Sequence, residues 1–269
     1  MDAASTADVH RLLTDGEMTL AGRLLSASNA TFVGSVSLDG ETAECVYKPV
    51  RGERPLWDFP DGTLAHRERA AYLVSEATGW HLVPPTVLRD ADFGVGMVQL
   101  WIDEPEYAEH EAALVDIVPL GDVPTGYLRV LDAEDQHRRP VSLVHADHVA
   151  LQQMAALDAV INNADRKGGH VLTRRDGHVH GVDHGVCFHE DPKLRTVLWG
   201  WAGEPLPDEV LTGLQEARDA LDGELTAELA GLLSVAELTS VRRRLEGLLA
   251  GGSFPLPSHE WPAIPWPAF

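Results

Sequence analysis

The stretch NNADRKGGHVL, residues 162–172, places two Asn, an Asp, an Arg, a Lys, two Gly and a His within nine residues of a 269-residue chain. Polar, glycine-rich segments are common in surface loops, so a plain loop is the simplest interpretation. A more specific one depends on which residues elsewhere in the chain can act together with these side chains.

The flanking patterns predict a helix before this stretch and a hairpin after it. DHVALQQMAALDAVINN, residues 147–163, carries Met154, Leu157 and Ile161 on one helical face, with Asp147 as the expected N-cap. The run from His170 to Gly185 predicts two short strands around an Asp-Gly turn.

The first hundred residues read as strands, then a helix, then strands. Three β-rich runs separated by a polar segment and an Asp-Gly turn predict an antiparallel meander, and a Gly/Pro loop separates it from the helix. The predicted elements are a short helix at 5–13, the meander within 18–50, a loop at 51–63, a helix at 64–79, and strands near 82–90 and 94–103.

Helical patterns dominate the end of the chain. Residues 103–146 are acidic and lack periodicity, so little regular structure is expected there. Helices are predicted over 208–221 and from Ser234, whose capping box with Glu237 precedes an apolar stripe. A Pro/Trp-rich tail, 253–269, ends the sequence and is expected to pack along the surface through its aromatic residues.

The acidic composition of the chain argues against some classes of function. Lys and Arg total 21 against 42 Asp and Glu, a formal charge of −21, which argues against extended contact with nucleic acid or anionic lipid. Without a signal-like N-terminus, and with two cysteines, the expectation is a cytoplasmic protein with no stable membrane association. An anionic substrate would need local cations or a metal ion.

Four features stand in order along the chain: a β-rich polar turn at 26–31, a lysine on a strand, a glutamate on the next helix and two acidic residues around a hairpin. Lys48 lies on a predicted strand, Glu68 on the following helix, and Asp165 and Asp183 on either side of the predicted hairpin. Transfer from ATP uses a cation on the phosphates, a carboxylate that holds this cation, a carboxylate near the acceptor hydroxyl and another that carries the metal. Taken singly, Lys48, Glu68 and Asp183 are better explained as ordinary surface or turn residues, whereas the stretch with Asp165 is more polar than a plain turn needs.

VYKP, HRERAAY, NNADRKGGHVL and GVDHG, in this order, resemble the motifs of the protein-kinase-like superfamily. The resemblance covers roughly residues 20–190 and is to the atypical branch with phosphatidylinositol kinases and HipA-type kinases. It is closer to a family of actinobacterial proteins similar to phosphatidylinositol 3- and 4-kinases. It implies an α+β, two-lobed kinase-like fold: an N-lobe of antiparallel sheet plus helix over 1–102, and a mainly helical C-lobe over 103–269.

By this resemblance, Lys48 is similar to the strand lysine that binds the α- and β-phosphates of ATP, and Glu68 to its helix partner. DRKGGH resembles the catalytic loop of lipid kinases, which implies that Asp165 is the catalytic aspartate. Lys167 is similar to the basic residue that contacts the γ-phosphate; an exposed side chain is the alternative.

The resemblance also implies a divalent metal, Mg²⁺ or Mn²⁺. Asp183 matches the metal-binding aspartate of the DFG motif, with His184 where Phe is usual. His170 stands where the pattern places Asn as the second metal ligand. Because imidazole suits Mn²⁺ better than Mg²⁺, His170 either binds metal, shifts the metal preference or simply packs.

The remaining nucleotide contacts depart from the protein-kinase pattern or are less specific. The polar turn SASNATFVG, residues 26–34, stands where protein kinases carry several glycines, and Ser and Asn can still cradle phosphate. The residues that the resemblance places around the nucleotide are Ser26, Ser28 and Asn29 at the phosphates, and Gln99, Trp101, Ile102, Leu172 and Val182 at the adenine.

The acceptor and the activity itself stay open at this stage. A small soluble polyol or sugar, or a protein Ser/Thr, fits the acidic chain better than a phosphoinositide in a membrane. A nucleotide-binding pseudokinase and an AMP-transferring enzyme are the alternatives. An independent zinc site in HVHGVDHG is disfavoured, because only Cys187 lies nearby.

Overall fold

In the computed structural model, the residues described are 6–24, 29–54, 56–59, 63–104, 113–258 and 260–269. The N-terminal part is a five-stranded antiparallel sheet in the order β1-β2-β3-β5-β4. Its strands are β1 (Glu17–Arg23), β2 (Phe32–Leu38), β3 (Glu41–Pro49), β4 (Thr86–Ala91) and β5 (Gly94–Leu100).

The predicted meander is confirmed, and its register places Lys48 at the centre of the sheet. Strand β3 pairs with β2 on one side and with β5 on the other, where Lys48 lies opposite Met97. Alternate residues of β3, including Cys45 and Tyr47, are buried against α1 (Thr6–Asp15), as the two-residue period of a strand requires. The side chain of Lys48 therefore leaves the opposite face of the sheet.

Helix α2 (Leu64–Ala77) connects the sheet to the rest of the molecule. It has buried residues on most of its surface, and Ala70, Ala71 and Val74 belong to the core shared with the C-terminal helices. Arg67 of this helix also pairs with Glu237 (2.5 Å). Because its apolar residues pack on the C-terminal core while Glu68 binds Lys48 of the sheet, α2 is held by both parts of the fold.

Residues 115–146 contain the main difference from the sequence prediction. They form a three-stranded antiparallel sheet in the order β6-β8-β7, where little regular structure was expected. Most of β7 is partly or fully exposed, so its sequence lacks the alternation that identifies a half-buried strand. The strands are β6 (Val115–Pro119), β7 (Tyr127–Glu134) and β8 (Pro140–Ala146).

The predicted central helix and hairpin are confirmed as α3 (Val149–Ile161) and the strands β9 (Val171–Thr173) and β10 (Val179–Gly181). The expected N-cap Asp147 is wrong by one residue. His148 is the N-cap, and its side chain accepts a hydrogen bond from the Ala150 amide. The polar stretch from residue 162 onward thus lies between α3 and β9.

Helices α4 (Asp208–Leu221), α5 (Glu224–Ala230) and α6 (Val235–Gly251) complete the C-terminal part. The capping box of α6 is present as predicted, and Gly252 ends the helix in the left-handed region. The α+β prediction is confirmed: an antiparallel sheet with a helix comes first, followed by a mainly helical part. The division into lobes at residue 102 stays a prediction.

The tail packs against the stretch that follows α3, in agreement with its predicted surface position. The Gly168 amide donates to the Ala268 carbonyl (2.8 Å), and the Thr196 amide donates to the Ala263 carbonyl (3.0 Å). The guanidinium of Arg195 lies over the Trp261 ring, 5.6 Å from its centroid. Separately, no helix among the described residues is long and apolar enough to cross a bilayer.

Candidate active site

Lys48 joins three distant parts of the sequence. Its ammonium donates to Glu68 Oε1 (2.7 Å) on α2 and to Asp183 Oδ1 (2.8 Å), which follows β10. Glu68 is buried, whereas the side chain of Asp183 is half exposed. The structure therefore brings together the strand lysine, its predicted helix partner and the predicted metal-binding aspartate.

The charges of these three groups are coupled. Burial alone would lower the pKa of Lys48, but the carboxylates of Asp183 and Glu68 together raise that pKa above its ordinary value. Lys48 in turn lowers the pKa of Asp183 well below its usual range. The ammonium and the Asp183 carboxylate are therefore both ionised at neutral pH.

Asp165 lies in the loop after α3, where its amide donates to Asn163 Oδ1 (3.0 Å). Its carboxylate is partly buried and lies 3.4 Å from the ammonium of Lys167. Burial raises the pKa of Asp165, and Lys167 opposes this effect. A carboxylate of raised pKa beside a cation is suited to orient a hydroxyl group and to accept its proton.

His170 lies against Asp183, with Nε2 at 3.5 Å from Oδ2. Burial lowers the pKa of His170 to about 4, so its ring is neutral at pH 7. Its Nδ1 accepts a long hydrogen bond (3.5 Å) from the Lys167 amide. In this tautomer the ring proton lies on Nε2 and points toward Asp183.

The donor set fits a partial site for a divalent ion. Within the described ranges, no group of three or more His, Cys, Asp and Glu side chains is arranged to hold a metal. Mg²⁺ in nucleotide sites uses one or two carboxylates together with the phosphates of the substrate, so Asp183 is compatible with it, and His170 could join it only with its ring proton moved from Nε2 to Nδ1. The role of His170 as a ligand stays a prediction.

Arg166, between Asp165 and Lys167, is a site residue that the sequence prediction missed. It is fully buried and paired with Asp158 of α3, 2.9 Å away. Its guanidinium also contacts His184. The available signal was Asp158 itself, which lies among the apolar residues of α3, where a buried carboxylate needs a cationic partner.

The predicted phosphate-binding turn is described only in part. Ser26 and Ser28 lie outside the described residues. The side-chain oxygen of Asn29 accepts a hydrogen bond from the Arg54 amide (2.9 Å), which ties the turn to the segment after β3. A phosphate contact by Asn29 stays a prediction.

Two of the predicted adenine contacts are engaged elsewhere. Gln99 is buried, and its amide donates to Thr86 Oγ1 on β4 (2.8 Å). The backbone amide of Trp101 donates to the Glu44 carbonyl (3.0 Å), so this amide is not free for a nucleotide. These bonds hold the strand end that leads out of the first sheet.

The other three predicted adenine contacts lie around the same strand end and β9. Leu172 and Val182 are partly buried, next to the loop that carries Asp183, and Ile102 is buried. Trp101 and Ile102 line a cavity of about 960 Å³ beside α1, which Lys48, Asp165 and Asp183 do not line. That cavity is therefore separate from the cluster around Lys48.

Comparison with known proteins finds a relative that matches almost the whole chain. No family model matches the chain. The chain is 52% identical over 267 residues to Protein Rv2133c of Mycobacterium tuberculosis, covering 97% of this chain and 96% of that protein. It is 28% identical over 189 residues to phosphatidylinositol 4-kinase gamma 3 of Arabidopsis thaliana, covering 62% of this chain and 29% of that protein.

Among solved structures, the fold is similar to the Helicobacter pylori proinflammatory kinase CtkA. The TM-score is 0.43 and the identity is 11%, with 90% of this chain and 94% of that chain covered. The predicted resemblance to phosphatidylinositol kinases is supported in part by the sequence match to phosphatidylinositol 4-kinase gamma 3, which covers 62% of this chain. The HipA-type branch stays a prediction.

Proposed function

The chain belongs to the family of the mycobacterial protein Rv2133c, and from this premise and the geometry of the site we propose that it is an ATP-dependent phosphotransferase. The observation that carries the proposal is Lys48, which bonds simultaneously to Glu68 and Asp183. Residues so far apart in sequence meet around one ammonium, and besides burial the Asp183 carboxylate lies near enough to Asp165 to raise the pKa of that residue, which supports an arrangement suited to phosphoryl transfer. The partial identity with a phosphatidylinositol 4-kinase also supports this reaction class.

Each residue has a role in the proposed reaction. Lys48, held by Glu68, binds phosphate oxygens, and Asp183 with His170 would hold Mg²⁺ or Mn²⁺, which would neutralise charge on the phosphates. Asp165 orients the acceptor hydroxyl and accepts its proton. Lys167 lies close enough to Asp165 to contact the phosphate that is transferred.

We propose a soluble acceptor, either a small polyol or sugar or a protein Ser/Thr. The formal charge of −21 opposes binding to an anionic membrane surface, where a phosphoinositide would lie. The proposal places the protein in the cytoplasm without nucleic-acid partners.

The test measures ATP consumption with Mg²⁺ or Mn²⁺, in the presence of a metabolite extract, for the wild type and three variants. Lys48→Met, Asp165→Asn and Asp183→Asn should each lower turnover by at least about 100-fold. Exposed residues supply the matched controls: Arg129→Met and Asp132→Asn remove an ion pair at the surface and should leave turnover unchanged. Full turnover by folded Asp183→Asn would refute the assignment.

Nucleotide binding without turnover is the second candidate, favoured by His170, which stands where the kinase pattern places a metal-binding Asn. Thermal shift with ATP, with and without metal, separates the two. Binding with no consumption in any extract would favour this candidate. Transfer of labelled α-phosphate instead of γ-phosphate to the product would indicate AMP transfer.

A further inference from the structure

Every N–H group of the Arg166 guanidinium has an acceptor. Nε donates to Asp158 Oδ2 (3.0 Å), and Nη2 donates to Asp158 Oδ1 (2.9 Å) and to His184 Nε2 (2.7 Å). Nη1 donates to the carbonyls of Val182 (3.0 Å) and His170 (3.3 Å). Because arginine has five N–H donors in a rigid plane, this set fixes the positions of α3, the Asp165 loop and the Asp183 loop relative to one another.

The bond to His184 fixes the state of that ring. Arginine cannot accept a hydrogen bond, so Nε2 of His184 must be the acceptor, and the ring proton of the neutral imidazole lies on Nδ1. The backbone amide of His184 donates to Glu68 Oε2 (2.9 Å), while the other oxygen of Glu68 binds Lys48. His184 is fully buried and thus joins Arg166 to the Lys48–Glu68 pair.

These bonds flank a residue in an uncommon conformation. Asp183 has φ of 64°, in the left-handed region that few non-glycine residues adopt. Such conformations persist where the surrounding structure determines them. Here both neighbours of Asp183 are fixed, since the Val182 carbonyl and the His184 ring accept from Arg166 and the His184 amide donates to Glu68.

We propose that Arg166 and His184 are positioning residues, whose mutual hydrogen bond holds Asp183 in the conformation that meets Lys48 and binds metal. The statement that Asp183 binds metal rests on the proposed function. The positioning part of the proposal does not, because all of its hydrogen bonds join residues of this chain.

A side chain that accepts a hydrogen bond is therefore required at position 184 to keep the Arg166 guanidinium fully paired. A phenylalanine has nearly the same shape but no acceptor, and would leave one N–H of a buried guanidinium unpaired. Glutamine at the same position offers a carbonyl oxygen that can accept the bond. We expect His184→Phe to release the Asp183 loop and His184→Gln to restore part of its order.

His180→Phe is the matched control. His180 is also buried, and its Nδ1 donates to the Leu82 carbonyl (3.2 Å), away from Arg166. Replacing it removes a buried histidine hydrogen bond four positions earlier in the chain, without changing the bonds around Asp183. It therefore separates a general loss of stability from a loss of positioning.

The first measurement is amide hydrogen exchange of residues 182–186 in the protein without nucleotide. Exchange should accelerate by about 10- to 100-fold in His184→Phe, the range expected for a hydrogen bond to a charged group, and less in His184→Gln. His180→Phe should leave this loop unchanged. Equal exchange in His184→Phe and wild type would overturn the positioning role.

The second measurement compares ATP affinity with and without Mg²⁺ or Mn²⁺. His184→Phe should keep the metal-free affinity, which depends on Lys48, and lose about 10-fold or more of the gain that metal provides, with partial rescue in His184→Gln. A metal-linked gain equal to that of wild type would show that the bond is only structural. A wild type that neither binds nor consumes ATP would refute the proposed function, and the exchange result would then decide the positioning role alone.

Discussion

His180 shows how one buried imidazole makes stability depend on pH. It lies on β10, and burial, followed by the influence of His178 and Arg174, lowers its pKa to about 4. The unfolded chain binds this proton near pH 6.5, so the contribution of His180 to stability is complete above pH 6.5 and is lost as the pH falls toward 4.

We expect this residue to cost the folded protein about 2 kcal/mol at pH 5 relative to pH 7. Urea denaturation of wild type and His180→Phe at both pH values measures it. The variant should lose less stability on acidification by about that amount, because the other buried histidines titrate in both proteins and cancel. Identical losses in the two proteins would contradict the assignment.

At the same scale, the sequence predicted the charged residues that the structure brings together around Lys48 and missed the residues that hold them. Lys48, Glu68 and Asp183 were predictable because their chemistry and order define a recognisable set, and the structure brings them together. Arg166 and His184 were not, since their roles depend on two loops meeting behind the site. Sequence spacing carries no information about that contact.

Among the elements, the tail and the loop after α3 fit together through a glycine. A Cβ at Gly168 would overlap the ring of Phe269, whereas a Cβ at the neighbouring Gly169 meets no atom within 4 Å. Two adjacent glycines in one loop therefore differ only in whether the tail covers them.

Gly168→Ala should displace Phe269 from the loop and lower the free energy of unfolding by about 1–3 kcal/mol, the usual effect of overpacking. Gly169→Ala is the matched control and should change it by less than about 0.5 kcal/mol. Thermal unfolding and amide exchange of residues 260–269 measure both effects. Adding Phe269→Ala to Gly168→Ala should restore the loop, and failure of this rescue would contradict the contact.

The sheet of β6, β7 and β8 is the part of the fold that the sequence did not predict. The helices and the first sheet were predictable from strong periodicity and caps, such as Ser234 with Glu237. In the later sheet, tertiary contacts determine the strands: His145 of β8 accepts a hydrogen bond from the Gly200 amide and packs on Trp201. Such long-range packing overrides local pattern.

Over the whole molecule, the acidic excess acts against the compact state. With a formal charge of −21, like charges repel across the surface, and salt screens those separated by more than about 8 Å at physiological ionic strength. We expect the melting temperature to rise between low salt and about 0.2 M NaCl.

A double variant, Glu134→Lys with Glu246→Lys, tests the cause. Each exchange replaces a negative charge with a positive one and raises the formal charge by two, so the double variant has a formal charge of −17 instead of −21. Both residues are exposed. The variant should melt higher at low salt and gain less from added NaCl than wild type. An equal gain in both proteins would show that salt acts through something other than repulsion.

The contact between Gly168 and residues 268–269 also bears on protein synthesis. A ribosome makes the loop that carries Asp165 about a hundred residues before it makes Phe269, and domains begin to fold during translation. The nascent chain can form α3 and the sheets of β1–β5 and β6–β8 while the tail is still inside the exit tunnel. The loop reaches its final packing only after Phe269 has emerged, so a translation product that lacks Phe269 carries an incompletely packed Asp165 loop.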